Sequence, residues 1–159
     1  MKRPWNIIDL PIYSLVTKDK DGNVNMNICT YVSAVSMKPK MYAIAIDYKT
    51  KTFDNLEKSS IAVLQILSQD NMKLVRKLGK NSGKKIDKDK YLKGKLLLQD
   101  WNGEEVLKGA CAFLMIKKSS CLQNHGDHAI YLFDVLASKT VSEDNILTFQ
   151  DLIENKIIL

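Results

Sequence analysis

Both histidines of the chain fall in one tetrapeptide, His125-Gly126-Asp127-His128, immediately before an apolar run. Two imidazoles and a carboxylate at this spacing have two chemical uses: they bind a transition metal, or they steady and move protons near neutral pH. The metal reading is the weaker, because no third histidine or paired cysteine is placed to complete a coordination shell, and no metal is expected. A second group, Tyr48-Lys49-Thr50-Lys51-Thr52, sets hydroxyls and ammonium groups ahead of a helical pattern. Such a helix start suits a phosphate, although Thr52 taken alone also reads as an ordinary helix cap. The third group runs from Asn25 to Ser36 and is rich in short amide and hydroxyl side chains. Short side chains let main-chain N–H groups approach a flat heterocycle closely. Neither a Gly-x-Ser-x-Gly elbow nor a Walker or Rossmann glycine pattern occurs, so a nucleotide held here needs another scaffold.

Charge narrows the partners. The chain carries 24 Lys+Arg against 18 Asp+Glu, a net +6, and the twelve residues Lys84 to Lys95 contribute six lysines and two aspartates, four of those six charges. That segment reads as a solvated loop or as a surface for phosphates. No aromatic-studded RNA motif accompanies it, so nucleic acid is not expected. No stretch approaches the roughly 20 apolar residues that span a bilayer, and the start lacks an apolar signal region, so a cytoplasmic protein without membrane contact is expected. Three scattered cysteines, Cys29, Cys111 and Cys121, suggest neither a disulfide framework nor a zinc pair.

With 159 residues, 45% of them hydrophobic, the chain is long enough for one folded domain, and one domain over 1–159 is expected. The elements that must position the three groups are mainly strands. Ile12 to Thr17 and Val24 to Ile28 flank the Asp21-Gly22 turn as a hairpin. Met41 to Asp47 and Ile61 to Leu67 read as inner strands, joined by a short helix from Thr52 to Ser59 with a threonine cap. A second helix follows Ser68, with Met72, Val75 and Leu78 on one face and Gly79 as its stop. Residues 80 to 104 read as a loop excursion with one strand at Leu96 to Leu98. Val106 to Ile116 and Ala129 to Ala137 are two further strands joined by the polar stretch Lys117 to Asp127. A last helix starts at Thr148, ahead of the apolar Ile157-Ile158-Leu159.

Pro11 to Thr17, the Asp21-Gly22 turn, Asn25 to Ser36 with Pro39, Lys51-Thr52 with Asn55, and Gly126-Asp127-His128 before a strand together resemble the flavin reductase-like family. The resemblance runs from about residue 8 to 140 with the elements in the family's order. Lys80-Asn81-Ser82-Gly83-Lys84 and Asp87-Lys88 resemble a loop of one branch. It implies a mainly β fold with short helices, a six- or seven-stranded Greek-key split barrel, usually homodimeric. It implies FMN as cofactor, with FAD possible, and NADH or NADPH as the small-molecule nucleotide substrate. By the same resemblance, Asn27, Cys29, Thr30, Tyr31, Val32 and Ser33 line the flavin ring. Ser36, Thr50, Lys51, Thr52, Asn55, Ser82 and Lys84 hold its tail, and His128 faces the nicotinamide as the catalytic group. Phe133-Asp134-Val135 replaces the family's common Gly-Glu-Val and leaves the nicotinamide pocket open. The implied activity is NAD(P)H-dependent flavin reduction; the alternatives are a flavin carrier or sensor, and a basic module gripping polyanions.

Overall fold

The computed structural model describes residues 1–158. Nine strands form among the described residues: β1 (Tyr13–Lys18), β2 (Val24–Met26), β3 (Val32–Met37), β4 (Lys40–Asp47), β5 (Ile61–Ile66), β6 (Leu98–Trp101), β7 (Glu104–Leu107), β8 (Ala112–Leu122) and β9 (His128–Thr140). Seven of them make one antiparallel sheet in the order β2-β1-β5-β8-β9-β4-β3, and β6 pairs with β7 apart from it. The two edge strands, β2 and β3, are consecutive in the chain, with only residues 27–31 between them. Six strand spacings would set the edges of a flat sheet about 29 Å apart. Six Cα steps from Met26 to Val32 reach about 21 Å at full extension. The sheet therefore curls until its edges approach, and the short bridging segment is tied to both sides. Cys29 exchanges main-chain hydrogen bonds of 2.9 and 3.0 Å with Tyr13 of β1, and the Tyr31 carbonyl accepts from Ala45 of β4 at 3.0 Å. This is a mainly β split barrel, as the resemblance implied.

Two apolar cores follow from the period-two geometry of the strands. Leu15, Ile44, Ile46, Leu64, Ile116, Tyr131 and Phe133, with Leu56 of helix α1 (Lys51–Lys58), fill one. Val16, Val63 and Phe113, on the opposite faces of the same strands, pack under helix α2 (Met72–Lys80), helix α3 (Lys88–Gly94), the β6–β7 hairpin and helix α4 (Phe149–Glu154). Strands β1, β5 and β8 are thus covered on both faces, which is why Ile61 to Leu67 reads as an almost unbroken apolar run.

Several sequence expectations need correction. The cap of α1 is Thr50, whose hydroxyl accepts from the Phe53 amide at 3.2 Å, and Thr52 lies buried in the first turn instead. Gly79 does not stop α2; it lies inside the helix, where a Cβ would stand 3.4 Å from Ile28. Residues 80 to 104 are no plain loop: α3 and β6 form there. Asn102 and Gly103, both with positive φ, turn β6 tightly into β7, as an Asn-Gly pair does. Val106 to Ile116 is two strands, broken by Gly109 at φ +78°, and β8 extends through the supposed polar connector to Leu122. β2 ends at Met26, and the hydroxyl-rich stretch after it includes the edge strand β3. The helix capped by Thr148 is present, with Asp151 completing a capping box. Leu159 of the apolar tail lies outside the described residues. Among the described residues, no helix is long and apolar enough to cross a membrane.

Candidate functional site

A cleft of about 380 Å³ opens where residues 27–31 bridge the two edges of the curled sheet. One side is that bridge, carrying Asn27, Cys29, Thr30 and Tyr31. Facing it are the first turn of α1, with Thr50, Lys51 and Thr52, the end of α2 with Ser82 and Gly83 beyond it, and His128 at the start of β9. The barrel's split thus gathers nine of the residues singled out from sequence: Asn27, Cys29, Thr30, Tyr31, Thr50, Lys51, Thr52, Ser82 and His128.

At one end polar groups are buried and pre-set. Thr50 commits its hydroxyl to the helix cap and to the Asp47 carbonyl at 2.7 Å. Thr52 is buried and accepts from Asn25 Nδ2 at 3.1 Å, which leaves the buried Asn25 Oδ1 without a partner. Directly above, Gly83 presses so close that a Cβ there would stand 2.2 Å from that oxygen and 3.0 Å from the Lys51 Cβ. Lys88, the first residue of α3, is only 5% exposed. Its ammonium donates to the Met26 carbonyl at 2.8 Å and the Leu78 carbonyl at 2.7 Å. A third N–H remains, and among the described residues no carboxylate pairs with it. Burial lowers the Lys88 pKa to about 8.

The other end is open. His128 Nδ1 lies 2.6 Å from Asp127 Oδ1, and its ring meets Tyr31 edge-on with centroids 5.3 Å apart. The His128 hydrogen bond holds the Asp127 carboxyl below the usual range, so the carboxylate accepts, Nδ1 carries the proton and Nε2 is left free. The Cys29 thiol in the bridge is pushed up to about 12 by burial and stays protonated, which removes it as a nucleophile. Asn27 faces the cleft, and its Oδ1 accepts from the Leu15 amide at 2.8 Å, pinning the bridge to β1.

Five anticipated residues do not reach this cleft. Val32 packs against the barrel core, Ser33 is exposed on β3, and Ser36 lies further along the same edge strand. Asn55 is buried and donates to Thr17 Oγ1 at 3.0 Å, fastening α1 to β1. Lys84 pairs with Asp54 at 3.2 Å and borders a neighbouring cavity. Asn25, Gly83 and Lys88, which the sequence placed in the polar stretch and the branch loop without giving them a ligand, also belong to the site. The signal for Lys88 was its position four before Leu92, which puts a lysine on the one apolar face of a short helix.

Comparison with known proteins supports the fold and gives the family. Residues 8–152 match the flavin reductase like domain family. A flavin reductase of Pseudomonas putida is 23% identical over 138 residues, covering 87% of this chain and 77% of the relative. An FMN-binding protein from Thermus thermophilus, solved with p-hydroxybenzaldehyde, superposes with a TM-score of 0.75 at 20% identity, covering 91% of this chain and 78% of that one. An NADH:FAD oxidoreductase of Streptomyces globisporus, in complex with NAD and FAD fragments, gives 0.70 at 15% identity, covering 84% and 76%. At such identities the superpositions speak for the fold. The family match spans nearly the whole chain, and the chain belongs to the flavin reductase-like family.

Proposed function

We propose that the protein is an NAD(P)H-dependent flavin reductase whose cleft holds the flavin mononucleotide unit, its phosphate end toward Lys88 and its ring toward the bridge. One observation carries the reading: a buried ammonium with a spare N–H and a buried amide oxygen with no partner stand together under a glycine strap. Leaving such groups unsatisfied costs about 1 to 3 kcal/mol each. A polyhydroxyl chain ending in phosphate supplies what both lack: donors for Asn25 Oδ1 and an anion for Lys88. The amides of Lys51 and Thr52, free of partners at the start of α1, add donors for the same anion. The chemistry of this donor set therefore fits the cofactor.

When bound, the flavin supplies the hydride chemistry; the chain binds, orients and controls protons. The remaining main-chain groups of the bridge do not reorganise, because Asn27, Cys29 and Tyr31 on either side of them are hydrogen-bonded into β1 and β4. Asp127 keeps His128 in one tautomer, so Nε2 presents a fixed hydrogen-bonding atom at the open end. Tyr31 limits the ring's rotation from the other side. In this reading a second copy of the chain covers the exposed Tyr31, Val35 and Met37 beside the cleft, making a homodimer.

The experiment is direct. The protein loaded with flavin is expected to be yellow and to bleach on anaerobic mixing with NADH or NADPH, faster than free flavin does. Flavin that binds but is reduced no faster than in solution would reassign the protein as a carrier; a chain that takes up no flavin would end the reading.

A further inference from the structure

Of the hydroxyls that stand ahead of α1, that of Tyr48 does not line the cleft; it accepts a hydrogen bond from the Asn124 main-chain amide at 2.6 Å. The main-chain amide of the same residue donates to the Asp127 carbonyl at 3.4 Å. We infer, on the flavin reading above, that Tyr48 is the positioning residue of His128: it clamps both ends of the turn Asn124-His125-Gly126-Asp127 and so holds the carboxylate that orients the imidazole.

The turn has little else to hold it. Its four residues are exposed, no main-chain hydrogen bond closes it among the described residues, and nothing stands within 4 Å of where a Cβ on Gly126 would be. Ahead of it, Gln123 reaches Glu57 at 3.4 Å, a long contact at the surface. Beyond it, His128 enters β9 opposite Asp47, so the ladder fixes its main chain. The direction of the ring is a separate matter. It depends on Asp127 Oδ1, 2.6 Å from Nδ1, and the Asp127 side chain is 93% exposed. Such a pair persists only as far as the backbone keeps its two side chains together, because water offers each partner an alternative. Tying Asn124 and Asp127 to one residue supplies that restraint.

Tyr48 can restrain the turn because it is itself fixed. It directly follows β4, and its ring meets Phe53 of α1 edge-on with centroids 5.1 Å apart. Phe53 in turn lies against Tyr131 of β9, centroids 6.4 Å apart. On either side, Asp47 holds the chain: its carboxylate accepts from the Lys49 amide at 2.8 Å and its carbonyl accepts from the Thr50 hydroxyl at 2.7 Å. The stretch Tyr48-Lys49-Thr50-Lys51-Thr52 thereby divides its labour. Thr50, Lys51 and Thr52 open the helix at the phosphate end, and Tyr48 braces the imidazole at the other.

Tyr48→Phe keeps the ring and removes only the hydroxyl; the freed Asn124 N–H is already at the surface and passes to water at little cost to the fold. In flavin-free protein carrying isotope-labelled histidine, at about pH 8.5 where imidazoles are neutral, NMR of the ring nitrogens is expected to show His128 as the Nδ1–H tautomer alone, and as a mixture of both tautomers in Tyr48→Phe. In the flavin-loaded protein the same substitution is expected to slow reduction by NADH or NADPH about threefold, to leave flavin affinity within about twofold, and to add nothing in a His128→Ala background. An unchanged tautomer or an unchanged rate overturns the inference. So does a slowing of equal size with and without His128, which a merely loosened fold would give. These failures leave the flavin reading standing. A His128→Ala protein reduced at the unaltered rate, or a chain that takes up no flavin, overturns the reading's use of His128 and the inference together.

Discussion

The two ends of the cleft are built differently. At the Lys88 end the polar side chains that meet are buried: Asn25, Thr52 and Lys88 are each at most 5% exposed, and their bonds run to neighbouring elements. At the His128 end the partner carboxylate of Asp127 stands almost wholly in solvent, and one hydrogen bond and the edge of the exposed Tyr31 hold the imidazole in place. Rigid, desolvated donors give affinity because their ordering is already done before the ligand arrives. An open imidazole gives little affinity and leaves room for a second molecule to enter. The contrast assigns retention to one end and turnover to the other, and variants along the cleft should lose flavin affinity in descending order from the first end to the second.

Lys88→Met is expected to have the largest effect, about 3 kcal/mol or roughly a hundredfold weaker flavin binding, the scale of a charge-assisted hydrogen bond lost from a buried site. The same residue sets a pH dependence. Its pKa in the free protein is about 8, so the cation is present below that pH and lost above it. Bound phosphate favours the protonated form. Affinity for phosphate-bearing flavin should therefore be full below pH 8 and fall as pH rises beyond it, by up to about tenfold per unit, while riboflavin shows no such fall. Folding shows the opposite sign: the unfolded chain holds this proton up to about its ordinary 10.5, so the stability of the flavin-free protein rises between about 8 and 10.5. Isothermal titration and thermal melts across about pH 6.5 to 10.5 measure both. A flat affinity profile would remove Lys88 from the retention end.

Gly83→Ala comes next. The new methyl would meet Asn25 Oδ1 at 2.2 Å, so the strap must lift or Asn25 must let go of Thr52. Overpacking of this kind costs about 1 to 3 kcal/mol, and the expected result is weaker flavin binding, up to roughly thirtyfold, together with a lower melting temperature of the flavin-free protein. Thr52→Ala follows at about 1 kcal/mol, since it removes one neutral bond to Asn25 and leaves the helix cap on Thr50 intact. Equilibrium dialysis ranks all three. Thr52→Ala exceeding Lys88→Met would break the comparison, because affinity would then track the hydroxyls and not the buried cation.

The sequence foretold this division unevenly. The barrel was legible because its strands are buried on one or both faces, and burial writes itself into residue type: Ile61 to Leu67 has one residue, Gln65, that interrupts the apolar run. β3 was not legible, since most of it is exposed and its Val-Ser-Ala-Val-Ser-Met pattern lacks a core to alternate against. The segment from 80 to 104 failed for a different reason. α3 has seven residues and buries only Lys88 and Leu92, so its helical period carries one apolar residue, too few to be heard over six lysines. The Asn-Gly pair at 102 and 103 was the one strong local signal there. His128, Lys51 and Thr52 were visible as residue types that do chemistry. Asn25 and Lys88 became site residues through burial: the four-residue spacing from Lys88 to Leu92 only hints at it, and Asn25 is one polar residue among many in its stretch.

His128→Ala gives the smallest change in affinity and the sharpest test of the contrast. The ring touches Tyr31 and Asp127, and neither contact reaches the buried donors near Lys88. Flavin binding should stay within about twofold, an energy difference near 0.4 kcal/mol. Reduction by pyridine nucleotide should slow by tenfold or more, since a fixed group at the reacting end of a positioned pair typically contributes 10²-fold or somewhat less when water can replace it. Asp127→Asn separates positioning from presence: the imidazole remains, its Nδ1 loses the ionised acceptor, and the tautomer is no longer held. Anaerobic stopped-flow should then show a smaller slowing than His128→Ala, with flavin affinity again unchanged. A His128→Ala protein that loses flavin as readily as Lys88→Met would mean that retention extends along the whole cleft, and the two ends would no longer be distinct devices.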